Sequence, residues 1–385
     1  MKMNIIKKIV RKFGVDIIRY SNDSAGHSKV EEKEEQVPLI SKEEASKILA
    51  SVGRKSGIPT FTYFERPHKS SLLMEEAENL WWNSHGNLVE KVWVLSDPVN
   101  YKYRNDYVSK AAAFFKGDKN TKAKVLDLGC GSGWFGRMIA DEHLEYFGMD
   151  FSATQIEIAN KKKETSLNKD YLNYYCLSDI KQLDNLNEIT GVVIHAFLHH
   201  LYWEDLDNLF SELGQILPVG CKFFIVEPTY PDPLVKQNGS DVFLKILQDY
   251  LANYREYRGK LKRQLIKDGM YDTQTASELN NIVSESDLNG FFLSPKEVPF
   301  RIGEFRSFLD KYLEIKNVFA CGIINLETAQ FIDRITSREL QDHYSELLFP
   351  VANTIDRILL NNNYFESDQS NYIFTSFEGV LKKIN

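Results

Sequence analysis

The sequence predicts an α/β fold: a mostly parallel sheet with helices on both faces, a helical N-terminal extension and a helical insertion. Three observations predict it. Between 124 and 229, short apolar runs rich in branched and aromatic residues alternate with stretches of helical period. The first of these runs feeds a glycine-rich turn, Gly129-Cys130-Gly131-Ser132-Gly133, the kind of turn that lets a strand enter a helix while a ligand approaches the backbone. The alternation closes at Pro231 and Pro233, and apolar strand and helix patterns return after Pro299.

Taken in order, residues 1–20 form a basic amphipathic segment. Ile5, Ile6, Ile9, Val10, Phe13 and Ile17 share one helical face, while Lys7, Lys8, Arg11, Lys12 and Arg19 share the other. Such a helix suits an anionic membrane surface, or packing on its own protein or a partner. Residues 21–55 are expected to be a flexible linker, since 21–45 is polar and charged, and the acidic run Glu31–Glu35 within it is a solvated stretch rather than a metal site. Residues 56–115 read as a helical cover containing Trp81, Trp82 and Trp93, with the Trp81–Trp82 pair expected in core packing.

The core is expected at 116–230. Its strands are KVLDLG, EYFGMD, NYYCLS, VVIHAF and KFFIVE, with helices at Trp134–Asp141, Ser152–Glu164 and Trp203–Leu217. Residues 231–295 read as a helical insertion or lid, its 240–290 stretch too charged for a sheet. The segment 296–385 completes the sheet, with a helix at Ile302–Tyr312, a strand at Glu314–Ile324, a helix near Ser337–Leu360 and a last strand at Asn371–Leu381.

The composition narrows the function classes. At 385 residues the chain has room for one large domain with appendages or two modest ones, and 43% hydrophobic with 26% charged residues is ordinary for a globular protein. A net charge of −7 weighs against nucleic acid as the main partner. Cys130, Cys176, Cys221 and Cys321 form no C-x-x-C pair, so neither a zinc framework nor a disulfide scaffold is expected, and a reducing cytoplasm is the expected compartment. No apolar run approaches the roughly 18 residues of a membrane span, and no secretory leader is expected.

The chemistry is concentrated in Val125–Trp134, an apolar strand, a glycine turn and a helix start. Two ligand classes suit such a loop. Gly131-x-Gly133-x-x-Gly136 matches the dinucleotide pattern, in which a pyrophosphate sits on the helix N-terminus. The pattern D-x-G-x-G-x-G from Asp127 to Gly133 resembles motif I of class I S-adenosylmethionine-dependent methyltransferases. Asp150, 17 residues after Gly133 at the end of the second strand, suits the ribose hydroxyls of either cofactor. Three further features resemble the methyltransferases: Ser178-Asp179 after the third strand, Leu198-His199-His200-Leu201 after the fourth, and Val226-Glu227-Pro228 closing the fifth. One departure is Gly191, standing where many of that family open the fourth strand with Asp.

This resemblance covers about 120–230 closely and 300–385 more loosely. It implies a Rossmann-like class I methyltransferase sheet of seven strands with the last one antiparallel, and S-adenosyl-L-methionine as cofactor. Carried over residue by residue, it implies cofactor contacts from Asp127, Gly129, Cys130, Gly131, Gly133, Trp134, Asp150, Phe151, Ser178, Asp179, His195 and Ala196. His199 or His200, at the carboxyl edge of the sheet, could take a proton from an attacking hydroxyl; a histidine at a helix start also serves as a structural hydrogen-bonder, and both roles stay open. Glu227 and Tyr230 are the candidate substrate contacts, and no metal is expected.

The leader and the segment Phe292-Leu293-Ser294-Pro295-Lys296-Glu297 resemble parts of bacterial methyltransferases of surface polysaccharide assembly. The resemblance therefore implies O-methylation of a small-molecule or carbohydrate acceptor, and the basic amphipathic pattern of residues 1–20 adds peripheral membrane contact as an expectation. A natural-product or lipid methyltransferase, a non-catalytic cofactor-binding scaffold at the membrane, and a reductase are the other readings.

Overall fold

The structure, a computed structural model, describes residues 66–70, 75, 78, 79, 81–83, 96–117, 122–177, 179–183, 186–230, 239–274, 296, 298–321, 323–362 and 373–383. The leader, the linker, Trp93, Ser178 and Phe292–Pro295 lie outside the described residues.

Helix α1 (Asp97–Lys116) opens with Pro98 in its first turn, where a missing N–H costs nothing. It is followed by β1 (Ala123–Leu128), α2 (Trp134–Ile139), β2 (Leu144–Asp150), α3 (Ala153–Lys163), β3 (Leu172–Cys176), β4 (Gly191–His195), α4 (Trp203–Ile216) and β5 (Lys222–Tyr230). Then come α5 (Asp241–Lys267), the two-residue β6 (Phe300–Arg301), α6 (Ile302–Tyr312), β7 (Leu313–Cys321), α7 (Ile323–Asp333), α8 (Arg338–Asn361) and β8 (Ile373–Leu381).

The sheet runs in the order β3-β2-β1-β4-β5-β8-β7, with β6 pairing the end of β5. Strands β1 to β5 are parallel, and β8 is antiparallel to both neighbours. The chain steps from β1 outward to β2 and β3, then crosses back to place β4 on the other side of β1. The loops leaving β1 and β4 therefore diverge, and the crevice between them is where open α/β sheets bind ligands.

The strands read as nearly continuous apolar runs because both faces are covered. Leu126, Leu128, Val192, Ile194, Phe223 and Ile225 enter one core with Phe210 of α4 and Phe305, Phe308 and Leu309 of α6. Their neighbours Val125, Val193, Phe224 and Val226 enter the opposite core with Phe115 of α1 and Phe135 of α2. That alternation is the two-residue period of a strand. Phe224 is fully buried, and truncating such a side chain to Ala costs about 3–5 kcal/mol. Gly191 has its reason here: a Cβ would meet the Phe115 ring at 2.4 Å.

A third core is helical. Leu251, Tyr254 and Leu265 of α5 pack with Ile324, Phe331 and Ile332 of α7, Leu348 and Ile355 of α8, and Val99 at the start of α1. Among the described residues no helix is long and apolar enough to cross a membrane.

The α/β sheet and its antiparallel last strand are as the sequence predicts, with one correction and one addition. The strand expected at Glu314–Ile324 stops at Cys321, and Ile323–Asp333 is a helix. The pair Ile323-Ile324 suits a strand by composition. Here, however, the N–H groups of Ile324 and Asn325 donate to the Asp356 carboxylate of α8, at 2.9 and 2.8 Å. That distant acceptor satisfies N-terminal helix donors that local sequence leaves open. The addition is β6, too short to show a pattern.

Candidate active site

The site is built on the β1–α2 loop. Gly129, Gly131 and Gly133 all hold positive φ, at 73°, 51° and 72°. The chain turns back on itself: Gly129 and Cys130 donate their N–H groups to the Met149 carbonyl, and Gly133 donates to Cys130. A Cβ on Gly129 would fall 2.6 Å from the Phe197 ring, and one on Gly133 would fall 2.5 Å from Tyr174, so both glycines are required by the protein's own packing. Gly131 differs. A Cβ there would meet only the Gln155 Oε1, at 3.6 Å, so the space over it is open.

Asp150 ends β2 under this loop. Its two oxygens accept the N–H groups of Gly131 (3.0 Å) and Ser152 (2.8 Å), which locks the carboxylate beside the glycines. Burial raises its pKa, against the pull of those N–H groups and of nearby His200. Ser152 in turn caps α3 through the Gln155 N–H, and half-buried Phe151 carries its carbonyl toward the Cys176 thiol at 3.7 Å.

Asp127 is enclosed behind the loop. One carboxylate oxygen accepts the Tyr146 hydroxyl, while the other is buried without a hydrogen-bond partner. Burial pushes its pKa up to about 8. Cys130 is also buried, and burial raises its thiol well above the ordinary value. Asp179 caps a short turn through the Lys181 N–H (3.0 Å), leaving its Oδ2 buried and unpartnered. At the end of β4, His195 meets the edge of Trp134 at 4.8 Å and stacks on Phe374. Burial and the neighbouring Arg104 hold its pKa well below the usual value. Ala196 then adopts φ +53°, the one positive value among the described non-glycine residues. Strain of this kind clusters at functional sites.

The turn Leu198–His200 presents the two histidines. The His199 Nδ1 lies 2.8 Å from Glu227 Oε2, and the His200 Nδ1 lies 3.0 Å from Glu78 Oε1. The two imidazole rings are 4.0 Å apart, and Trp82 closes over His200 edge-on. With carboxylates as acceptors, each Nδ1 carries the hydrogen and Nε2 becomes the acceptor nitrogen of the ring.

Glu227 corrects an expectation. It is 0% exposed, and its oxygens accept the N–H groups of Phe197, Leu198 and His199 besides the His199 ring. No face remains for a substrate hydroxyl; it orders the turn that carries the histidines. Burial pushes it up to about 7, against those N–H donors. Tyr230 ends β5 opposite Arg301, and its side chain lies outside the described residues.

Several residues that build this site carry no signal in the sequence. Glu78 joins His200, the Trp82 Nε1 (2.9 Å) and the Lys296 N–H (2.8 Å). Buried Arg66 donates to the carbonyls of His199, Leu201 and Val298 and lies 3.8 Å from the centre of the Phe300 ring. Arg104 covers Trp134 at 4.1 Å. These partners sit far from the motif along the chain, so only the fold brings them together.

Residues 125–220 match the model of a methyltransferase domain. A ubiquinone biosynthesis O-methyltransferase of Glaesserella parasuis is 27% identical over 149 residues, 36% of this chain and 58% of that relative. A protein of Saccharomyces cerevisiae named a probable S-adenosylmethionine-dependent methyltransferase is 26% identical over 239 residues, 56% of this chain and 76% of its own length. Among solved structures, Haemonchus contortus phosphoethanolamine N-methyltransferase 2 with S-adenosyl-L-methionine aligns at 16% identity and TM-score 0.41, covering 77% of this chain and 59% of that one. The cyclopropane synthase of Mycobacterium tuberculosis aligns at 13% and 0.39, covering 72% and 83%.

Proposed function

We propose that this chain, a class I S-adenosylmethionine-dependent methyltransferase with its methyltransferase domain at residues 125–220, methylates a hydroxyl oxygen of a small polar acceptor, a sugar or glycan intermediate. The single observation that carries the reading is the pair of histidines, each held by a carboxylate, at the carboxyl edge beside Asp150.

The residues present fit the cofactor. Gly131 leaves open space over the loop, the half-buried Asp150 carboxylate beside it would accept the ribose hydroxyls, and Asp179 keeps a buried oxygen that would accept a donor such as an adenine amino group. When bound, S-adenosylmethionine supplies an activated methyl group on a sulfonium, which leaves as a neutral thioether when the carbon–sulfur bond breaks. The protein's task is then alignment and proton removal. Glu227 and Glu78 fix the ring orientation and tautomer of His199 and His200, so an Nε2 can take the hydroxyl proton as the new carbon–oxygen bond forms. An amine that is already neutral needs no such base.

The carbohydrate assignment rests on the leader and on Phe292–Glu297, and the O-methylation on the histidines together with the relative named an O-methyltransferase. A lipid-linked or apolar acceptor is the second reading, favoured by Val242 (70% exposed) and Ile246 (61%) on the outer face of α5. The test is methyl transfer from labelled cofactor to nucleotide sugars, glycans, phenols and amines, alongside surface glycans from cells with and without the gene. A missing O-methyl sugar supports the assignment; turnover confined to amines sinks it. Membrane attachment is read from residues 1–20 and is tested separately: deleting them should abolish binding to anionic vesicles without changing turnover of a soluble acceptor.

A further inference from the structure

A cavity of about 350 Å³ lies between α5 and α7, lined on one side by Arg255, Arg258, Gly259 and Lys262 and on the other by Glu327, Phe331 and Arg334, with Tyr271 beside them. None of its lining residues belongs to the glycine loop, the ends of β2 and β4, or the histidine turn. We infer that it binds a phosphate-bearing anion, separate from the methyl donor.

Charge is the first argument. Four basic side chains line the cavity against one carboxylate. That carboxylate is already committed: Glu327 accepts from Arg255 (2.8 Å) and from Arg258, which fixes both guanidinium planes. Although burial pushes the Glu327 pKa up, the two arginines hold it below the ordinary value, so it stays an anion. Asp272, next to Tyr271 in the chain, turns its Oδ1 to the Gln274 N–H and is not a lining residue.

Unmet donors are the second argument. The Nη1 atoms of Arg258 and Arg334 are buried and have no hydrogen-bond partner, one on α5 and the other just beyond the end of α7. Buried donors require acceptors, and guanidinium forks match the oxygens of a phosphate in pairs.

Shape is the third. Gly259 sits inside a 27-residue helix, where glycine is unfavourable. A Cβ there would meet only the Arg263 Nη1, at 3.6 Å, so it does not serve close packing. It keeps the wall of the cavity low. Tyr271 and Phe331 stack with centroids 5.7 Å apart, giving a flat apolar wall beside the cations. The volume exceeds that of a bare phosphate and suits a phosphorylated small molecule or a phosphate headgroup.

The test uses the full chain saturated with S-adenosylhomocysteine, so the methyl-donor site is filled, and inorganic pyrophosphate as probe in calorimetry. Saturable binding is expected, weakened at least about tenfold in Arg258→Gln and in Arg334→Gln. Gly259→Leu should abolish it while melting at or above the parent temperature, which separates blocked space from lost folding. A second arm uses phosphatidylcholine vesicles with and without phosphatidic acid. Residues 1–20 contribute vesicle binding that the cavity variants leave in place. Vesicle binding reduced below the parent's in the same variants therefore assigns a lipid phosphate, and vesicle binding equal to the parent's beside weakened pyrophosphate binding assigns a soluble one. No saturable binding in either arm, or binding unchanged in all three variants, overturns the inference.

Discussion

Asp150 and Asp127 show how two carboxylates 23 positions apart take different tasks. Asp150 is held by two backbone N–H groups and lies half-buried beside the loop. Asp150→Ala should weaken S-adenosylmethionine by about 2–3 kcal/mol, a thirty- to hundredfold loss by roughly 1.4 kcal/mol per decade. Calorimetry on a folded variant checks it, and unchanged affinity would remove the residue from the site. Asp127 is a titration problem instead. Its native pKa, about 8, lies above its ordinary 3.8, so the folded state binds the proton more tightly. Its stabilising contribution is complete below pH 3.8 and is lost as pH rises toward 8, with a limiting slope of about 1.4 kcal/mol per pH unit. Asp127→Asn keeps an acceptor for the Tyr146 hydroxyl and cannot ionise. Relative to the parent, this variant should therefore gain melting temperature between pH 5 and pH 8. A parent–variant difference independent of pH would refute the burial argument.

At the level of elements, the β1–α2 loop separates glycines needed for folding from the one that leaves room for a ligand. Alanine at 129 would meet Phe197 and hold φ near +73°. Gly129→Ala should thus cost more than the roughly 1–2 kcal/mol of left-handed strain alone. Gly131→Ala should cost only that strain, yet lose cofactor affinity, since its Cβ enters open space. Thermal melts paired with calorimetry distinguish the two, and equal stability losses with equal binding losses would contradict this division. The loop was readable in the sequence because glycines, an apolar strand and a helix start are all local signals. So were β1 to β5 and β8, whose burial on both faces writes long apolar runs. Helix α7 was not, because Ile323-Ile324 favours a strand by composition and the acceptor that starts the helix, Asp356, lies 32 and 31 positions from the two N–H groups it satisfies. The inward turn of Glu227 was equally hidden: its place at a strand end was legible, but the three backbone N–H groups that consume its oxygens belong to the next loop over.

Across the whole molecule, the histidine turn is held by three stretches of chain that the sequence keeps far apart. Residues 66–82 bring Arg66, Glu75, Glu78 and Trp82; the sheet brings Glu227; and the approach to β6 brings Lys296. Lys296 is the fastener. Its side chain is 2% exposed, with the ammonium between Glu75 (2.5 Å) and Asp205 (3.4 Å), and its backbone N–H fixes Glu78, which in turn holds His200. Burial lowers its pKa, but the surrounding carboxylates more than offset that and raise it, so the ion pair persists across neutral pH and is lost only in strong alkali. Lys296→Met keeps the stem and removes the charge. Because Glu75 and Asp205 are partly exposed and can rehydrate, the cost should be about 1–3 kcal/mol, less than for a fully buried pair. The loss should be local. Limited proteolysis should cut within 66–83 well before the sheet, and the acceptor KM should rise at least about fivefold, near 1 kcal/mol. Cofactor affinity should stay within about twofold, because the hydrogen bonds that hold Asp150 and the glycine loop come from Gly131, Ser152 and the Met149 carbonyl and not from this fastener. If cofactor binding falls in step with acceptor binding, the N-terminal segment is part of one cooperative core, and the histidine turn is not a separately fastened unit.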